Sequence, residues 1–226
     1  GMTLSNCKFD MPIIARDAHI AGLLLLSGSH LRRGLIADRL RCDSGVFLRS
    51  GFRSFDAVCL SGAQIGGDLD CSNGQFESEK GYALSAEGAV IKGYVFLHMQ
   101  FKATGEVRLL GAQIGNNLEC SGGQFEPKDG HALCADRTVV NGNVFLNKQF
   151  KATGEVRLLG AQIGSDLNCS GGQFSAHGLN IRTGIVQSNF FLYDIADPVR
   201  INATAAQIGV LEDAPTAWAK GSSLNG

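Results

Sequence analysis

Proline and tryptophan are scarce in this chain, with four prolines and one tryptophan in 226 residues. Thirty glycines accompany them, without the every-third-residue rule of collagen, so they suit tight turns instead. An excess of charge of either sign is also missing. The net charge is −1 and the sequence pI is near 6.6. That excludes the basic footprint of a nucleic-acid binder and the strong acidity of a protein that imitates DNA. Long apolar runs are absent as well. The longest leucine run, Leu23–Leu26, falls far short of the roughly 20 residues that span a bilayer. No secretory signal stands at the N-terminus, so the cytoplasm is the default location. Gly1 before Met2 reads as a tag remnant.

The motifs of common chemistries are lacking too. There is no HExxH, GxSxG, P-loop or GxGxxG element in a usable context. The five histidines (His19, His30, His98, His131, His177) occupy unrelated places in the pattern described below. No catalytic residue, metal ligand or cofactor is expected from these observations, and the chain reads as a non-enzyme.

What the chain does contain is a repeat. FKATGEVRLLGAQIG opens at Phe101 and again at Phe150, a period of 150 − 101 = 49 residues, and SGGQF closes at Phe125 and Phe174. A third copy, VCLSGAQIGGDLDCSNGQF, covers Val58–Phe76. Self-similarity at fixed period marks a solenoid, propeller or array. The unit is itself double: Val107-x-Leu109, Ala112-x-Ile114 and Leu118-x-Cys120 lie over Leu133-x-Ala135, Thr138-x-Val140 and Val144-x-Leu146. Each half carries three short period-2 segments separated by Gly/Asn/Ser/Asp turns, which is strand and turn chemistry. No stretch shows the 3.6-residue period over the three turns a helix needs.

The expected fold is therefore all-β: a single-chain solenoid of about nine coils of ~24 residues, read as a three-sided parallel β-helix. Coils begin at Ile13, Leu35, Val58, Leu84, Val107, Leu133, Val156 and Leu179, with a partial one at Val199. The repeat domain runs from 13 to 211. Residues 1–12 and 212–226, the latter with Trp218, break the pattern and are expected to be caps. Loops of varying length (Leu31–Gly34, Glu77–Tyr82, Glu126–His131, Ser175–Gly178) follow one phenylalanine position and should emerge along one edge.

Stacked coils imply inward ladders: Ile65/Ile114/Ile163, Leu69/Leu118/Leu167 and Cys71/Cys120/Cys169. Cysteines on every second coil stand about 10 Å apart, too far for a disulfide or a shared zinc. They read as small core hydrophobes. Cys59 and Cys134 fall in outward positions and are expected to be exposed thiols.

The outward positions carry the functional expectation. Between the two inward residues of the third segment, successive coils place Leu25, Phe47, Asp70, Phe96, Glu119, Phe145, Asn168 and Phe191. Phe47, Phe96, Phe145 and Phe191 thus form an apolar stripe, and such stripes mark interaction surfaces unless the chain's own loops cover them. A second outward row, Arg108, Arg157 and Arg200, reads as a solvated face. The expectation is a scaffold that binds a protein partner, or a second copy of itself, through the phenylalanine stripe. The alternative is a carbohydrate-binding or carbohydrate-active β-helix, a class in which this architecture is common.

At GAQIGGDLDCSNGQF, GAQIGNNLECSGGQF and the terminal AQIGVLEDAPTAW, the chain resembles a bacterial family of repeat proteins loosely akin to pentapeptide-repeat proteins. The resemblance implies a right-handed β-helix. Long members carry the automatic name "membrane-associated oxidoreductase", which implies a third reading, oxidoreduction. It supplies no catalytic motif. Longer members continue beyond the region matching Trp218, which implies that this chain is a shortened form.

Overall fold

The computed structural model describes residues 1–78, 81–195, 198–214 and 223–225. The described chain is all strand and turn, wound into a parallel solenoid of about nine turns of ~23 residues. The turn through Val58–Phe76 shows the plan. Its strands are Val58–Cys59, Gln64–Ile65, Leu69–Asp70 and Gln75–Phe76. Each stacks in register on its equivalents in the turns before and after, giving four columns. The second and third columns belong to one 17-stranded sheet, and the first and fourth form sheets of ten and eight strands.

Strands this short arise because each side is written as two inward residues flanking one outward residue, followed by a turn. Val58 and Leu60, Ala63 and Ile65, and Leu69 and Cys71 point inward and are at most 1% exposed. At the corners the backbone closes on itself, as in Ala63 N to Leu60 O at 3.0 Å and Gly74 N to Cys71 O at 3.0 Å. Most other backbone N–H groups of the strands donate to the neighbouring turn. A single turn therefore has no core of its own, and stacking makes one continuous core.

Two expectations change. The solenoid has four strands per turn where three segments were read, because Gln75–Phe76 and its equivalents are strands of the fourth column and not turns. Their phenylalanines point inward, buried, which a turn position would not require. The first dozen residues do not stand apart either. Met2–Thr3 pairs with Leu24–Leu25, and Lys8–Phe9 pairs with His30–Leu31, as first rungs of the third and fourth columns. At the other end Ser223–Asn225 adds a tenth rung to the first column, pairing with Arg200–Asn202. Trp218 lies outside the described residues.

The fourth column also explains why the repeat is 49 residues long and not half that. Ser54, Phe76, Ala103, Phe125, Ala152 and Phe174 stand opposite one another in sequence along the column. Where this position is small, the ring comes from two residues earlier, at Phe52, Phe101 or Phe150. Where it is phenylalanine, the earlier residue is Gly74, Gly123 or Gly172. A Cβ on Gly123 would lie 2.5 Å from Leu97 O and 2.8 Å from the Phe125 ring, so the site admits glycine alone. The rule Phe-x-small over Gly-x-Phe builds one continuous ring stack, with centroids 5.1 to 5.5 Å apart from Phe52 to Phe174. Two turns must pass before the pattern recurs.

Candidate interaction face

The third column presents its outward residues in the order expected. Phe47, Asp70, Phe96, Glu119, Phe145, Asn168 and Phe191 are consecutive register partners, and Glu212 continues the row. All four phenylalanines are half-buried.

The second column, on the same sheet, alternates in phase with it. Its outward residues run Gln64, Val90, Gln113, Val139, Gln162, Ile185 and Gln207. Each turn with an outward phenylalanine from Phe96 onward therefore also has an outward Val or Ile. Each turn with Asp70, Glu119, Asn168 or Glu212 has an exposed Gln. From the Gln64/Asp70 rung to the Gln207/Glu212 rung the face is banded across both columns, apolar and polar rungs in strict alternation. The recurrence of Gln64, Gln113 and Gln162 every 49 residues is the sequence signal of this second alternation.

Side-chain carbonyls hold the bend between the two columns rigid. Asp68 Oδ1 accepts from Tyr94 N, Asn117 Oδ1 from Asn143 N, Asn143 Oδ1 from Asp166 N and Asp166 Oδ1 from Asn189 N, all at 2.9 to 3.0 Å. Such Asx ladders satisfy backbone donors that the bend takes out of the sheet.

Within the row the rings are supported on their flanks. The Arg49 guanidinium lies 4.7 Å from the Phe47 centroid and donates to Asp70 Oδ2 at 2.6 Å. One cation thus serves a ring and the carboxylate of the next rung. Asp70 is only 6% exposed, and it also accepts from Ser72 N at 3.0 Å. Phe96 is stacked between Tyr94 and His98 at 5.3 and 5.2 Å, and Phe191 meets Tyr193 at 6.2 Å. Beside Phe96 lies a shallow depression of about 860 Å³ at the edge of the third column, lined by Arg49, Asp70, Ser72, Phe96, His98 and Met99.

That edge carries backbone strain on alternate turns. Met99 and Gln100 both have positive φ (50° and 68°), as do Lys148 and Gln149 (48° and 71°). The equivalent pair in the earlier turn is Ser50 and Gly51 (54° and 84°). The extra residue that the Phe-x-small turns insert here is absorbed by this double left-handed corner.

The arginine row is corrected in one member. Arg108 and Arg157 share a register line in the first column through Cys134, and the line continues to Asn180 and Asn202. Arg200 sits two residues before Asn202 and outside the row. The match of Val199-Arg200 to Val107-Arg108 misled, because Ile201 takes the inward place of Val107. The two remaining arginines are neutralised locally. Arg157 donates to Asp136 Oδ2 at 2.5 Å, and Arg108 lies 3.5 Å from both Glu87 and Glu106. His131 stands among them, 3.4 Å from Glu155 and 3.2 Å from Arg157.

The cysteine ladder Cys71/Cys120/Cys169 is fully buried, and burial pushes all three thiols up. Cys59 is half-buried as an outward residue. Cys134, expected to be exposed, is 7% exposed, because it lies in register between the arginines at 108 and 157. Burial raises both of these thiols as well. Among the described residues no group of His, Cys, Asp and Glu is arranged to hold a metal ion, and no helix is long and apolar enough to cross a membrane.

No protein-family model, curated protein or solved structure matches this chain.

Proposed function

We propose that this protein is a scaffold whose working surface is the banded outward face of the second and third columns. The observation that carries the reading is the in-phase alternation of Val90/Phe96, Val139/Phe145 and Ile185/Phe191 with Gln64/Asp70, Gln113/Glu119 and Gln162/Asn168. A solvated face has no need of outward phenylalanine on every second rung, and half-buried apolar surface that recurs in register suits a partner. The rings are pre-set by a rigid sheet and by Arg49, Tyr94 and His98, so binding costs little side-chain ordering. The opposing first-column face, with Arg108 and Arg157 held by carboxylates, offers no such bands.

A photo-crosslinking residue placed at Phe145, and in a separate variant at Arg108, tests this in cells expressing the protein. Adducts concentrated at position 145 are expected, whether to other molecules or to a second copy. Equal labelling at both positions, or none at 145, would overturn the reading. The carbohydrate alternative draws on the same face, through the Tyr94–Phe96 and Phe191–Tyr193 ring pairs. Retention on insoluble β-linked glucan or chitin, abolished by Tyr94→Ala, would replace a protein partner by a glycan.

A further inference from the structure

We infer that the occupant of the banded face is a second copy of this chain, packed face to face with its solenoid axis antiparallel. The inference rests on the scaffold reading above and names its partner.

The first argument is the period. Apolar bands recur every two rungs, or about 9.6 Å at the spacing of hydrogen-bonded strands. An extended peptide repeats its side chains about every 6.7 Å. A helix repeats its face about every 10.5 Å over seven residues. The extended peptide is out of phase within two bands, and the helix slips by about 0.9 Å at every band. Another copy of this solenoid has the same period by construction, so every band meets a band.

The second argument is charge, and it selects the direction. Arg41 and Arg49 are exposed at one end of the face, and Glu212 continues the third column at the other. With parallel axes the third column of one copy meets the second column of the other at equal height. Arg49 would then stand against the partner's Arg41, which lies in the same turn. With antiparallel axes each column faces its own equivalent. A two-fold axis at the Phe145 rung sets Phe145 against the partner's Phe145 and Phe96 against the partner's Phe191. It sets Val90 against the partner's Ile185 and Gln113 against the partner's Gln162. Glu119 meets the partner's Asn168, an amide that can donate to it. Asp70, already held by Arg49, comes opposite the partner's Glu212, with the Arg49 guanidinium between the two carboxylates. An axis at Glu119 would set that carboxylate against its own copy, one at Asn168 would set Glu119 against the partner's Glu212, and one at Phe96 would set Arg41 against the partner's Val139, so the Phe145 axis is selected. The contact is isologous and closes as a dimer.

Sedimentation of the full chain tests this. The wild type is expected to be a dimer in reversible exchange with monomer. Asn168→Asp sets a carboxylate against the partner's Glu119, and it should weaken the dimer at least tenfold while leaving the circular dichroism of the folded chain unchanged. Glu119→Lys combined with Asn168→Asp should restore the dimer. Phe145→Asp should give a monomer whose circular dichroism is unchanged. Should Phe145→Asp fail to fold, the charge swap alone decides. A wild type that stays monomeric, or a dimer indifferent to Asn168→Asp, overturns the inference. If position 145 still crosslinks other molecules in that case, the scaffold reading survives with a different partner. If 145 crosslinks nothing, both fall.

Discussion

Phe101 and Phe125 meet with ring centroids 5.2 Å apart, although they do not stand opposite each other in their strands. Phe125 is paired with Ala103, and Phe101 comes one residue before the Lys102–Gln124 pair, opposite Gly123. Each ring fills the space left by a small residue in the adjacent turn. The stack is continuous only because two kinds of turn alternate, and the same alternation recurs outside, where phenylalanine follows acid or amide along the third column.

That reciprocity makes the inner stack sensitive to volume at both places. Phe125→Ala should cost about 3–5 kcal/mol in denaturant unfolding, the usual penalty for deleting a fully buried ring. Gly123→Ala should cost about 1–3 kcal/mol by overpacking, since its Cβ meets backbone and the Phe125 ring. A mild effect of both substitutions would show that the stack does not hold the turns in register.

The corner after the third column supplies a stabilising change. Gln100 and Gln149 hold positive φ where the equivalent earlier residue is Gly51. A left-handed non-glycine residue costs roughly 1–2 kcal/mol, and glycine's extra freedom when unfolded returns about half of that. Gln100→Gly and Gln149→Gly should each raise stability by about 0.5–1 kcal/mol, and Gly51→Gln should lower it. Urea midpoints of the three variants check this.

Thiol chemistry should divide the cysteines by burial. In the native protein at pH 8.5, the half-buried Cys7 should alkylate, while Cys71, Cys120 and Cys169 stay unmodified because burial disfavours their thiolates. All seven should react once the chain is unfolded. Cys120→Val should cost less than about 1.5 kcal/mol, as expected of a packing residue rather than a ligand. Mass spectrometry of labelled peptides gives the order of reaction.

Acid should loosen the link across the fourth column. Glu126 accepts from Lys151 Nζ at 2.8 Å and lies 3.0 Å from Lys102 Nζ, so one carboxylate ties the turns before and after it. Those hydrogen bonds, Lys151 first, hold its carboxyl below the ordinary carboxylate range. A depressed folded value means the contribution is fully present above the unfolded value, about 4.3, and is lost as pH falls through the folded one. Glu126→Gln should therefore flatten part of the decline in melting temperature below pH 5 and change little below the folded value. An identical pH profile in the variant would show that the pair contributes nothing.

Much of the fold was legible in the residues, because a solenoid repeats its local code. Eight turn starts from Ile13 to Leu179 fall in first-column strands, and the inward Ile, Leu and Cys ladders are register partners or their equivalents. The outward phenylalanine stripe was legible for the same reason: period-2 strands put every second side chain outside. The fourth column was missed because its inward residues switch between two positions, Phe101 in one turn and Phe125 in the next. Aligned turn against turn, they look like an irregular Gln-Phe corner. Arg200 was misplaced because identical dipeptides were aligned where the strand had slipped by two residues.

The sequence alone determined that the chain stacks, that its core is a set of ladders, and which side chains the repeat leaves outside. Those properties follow from nearest neighbours along the chain, and parallel stacking copies them from turn to turn. Tertiary structure decided what the sequence could not. It set the number of sides, the sharing of space between Phe101 and Phe125, the burial of Cys134 between two arginines, and the banding of Gln/acid against Val/Phe over two columns. Each of these depends on residues from different turns meeting in space, and register across turns is set by how rings and small residues pack together.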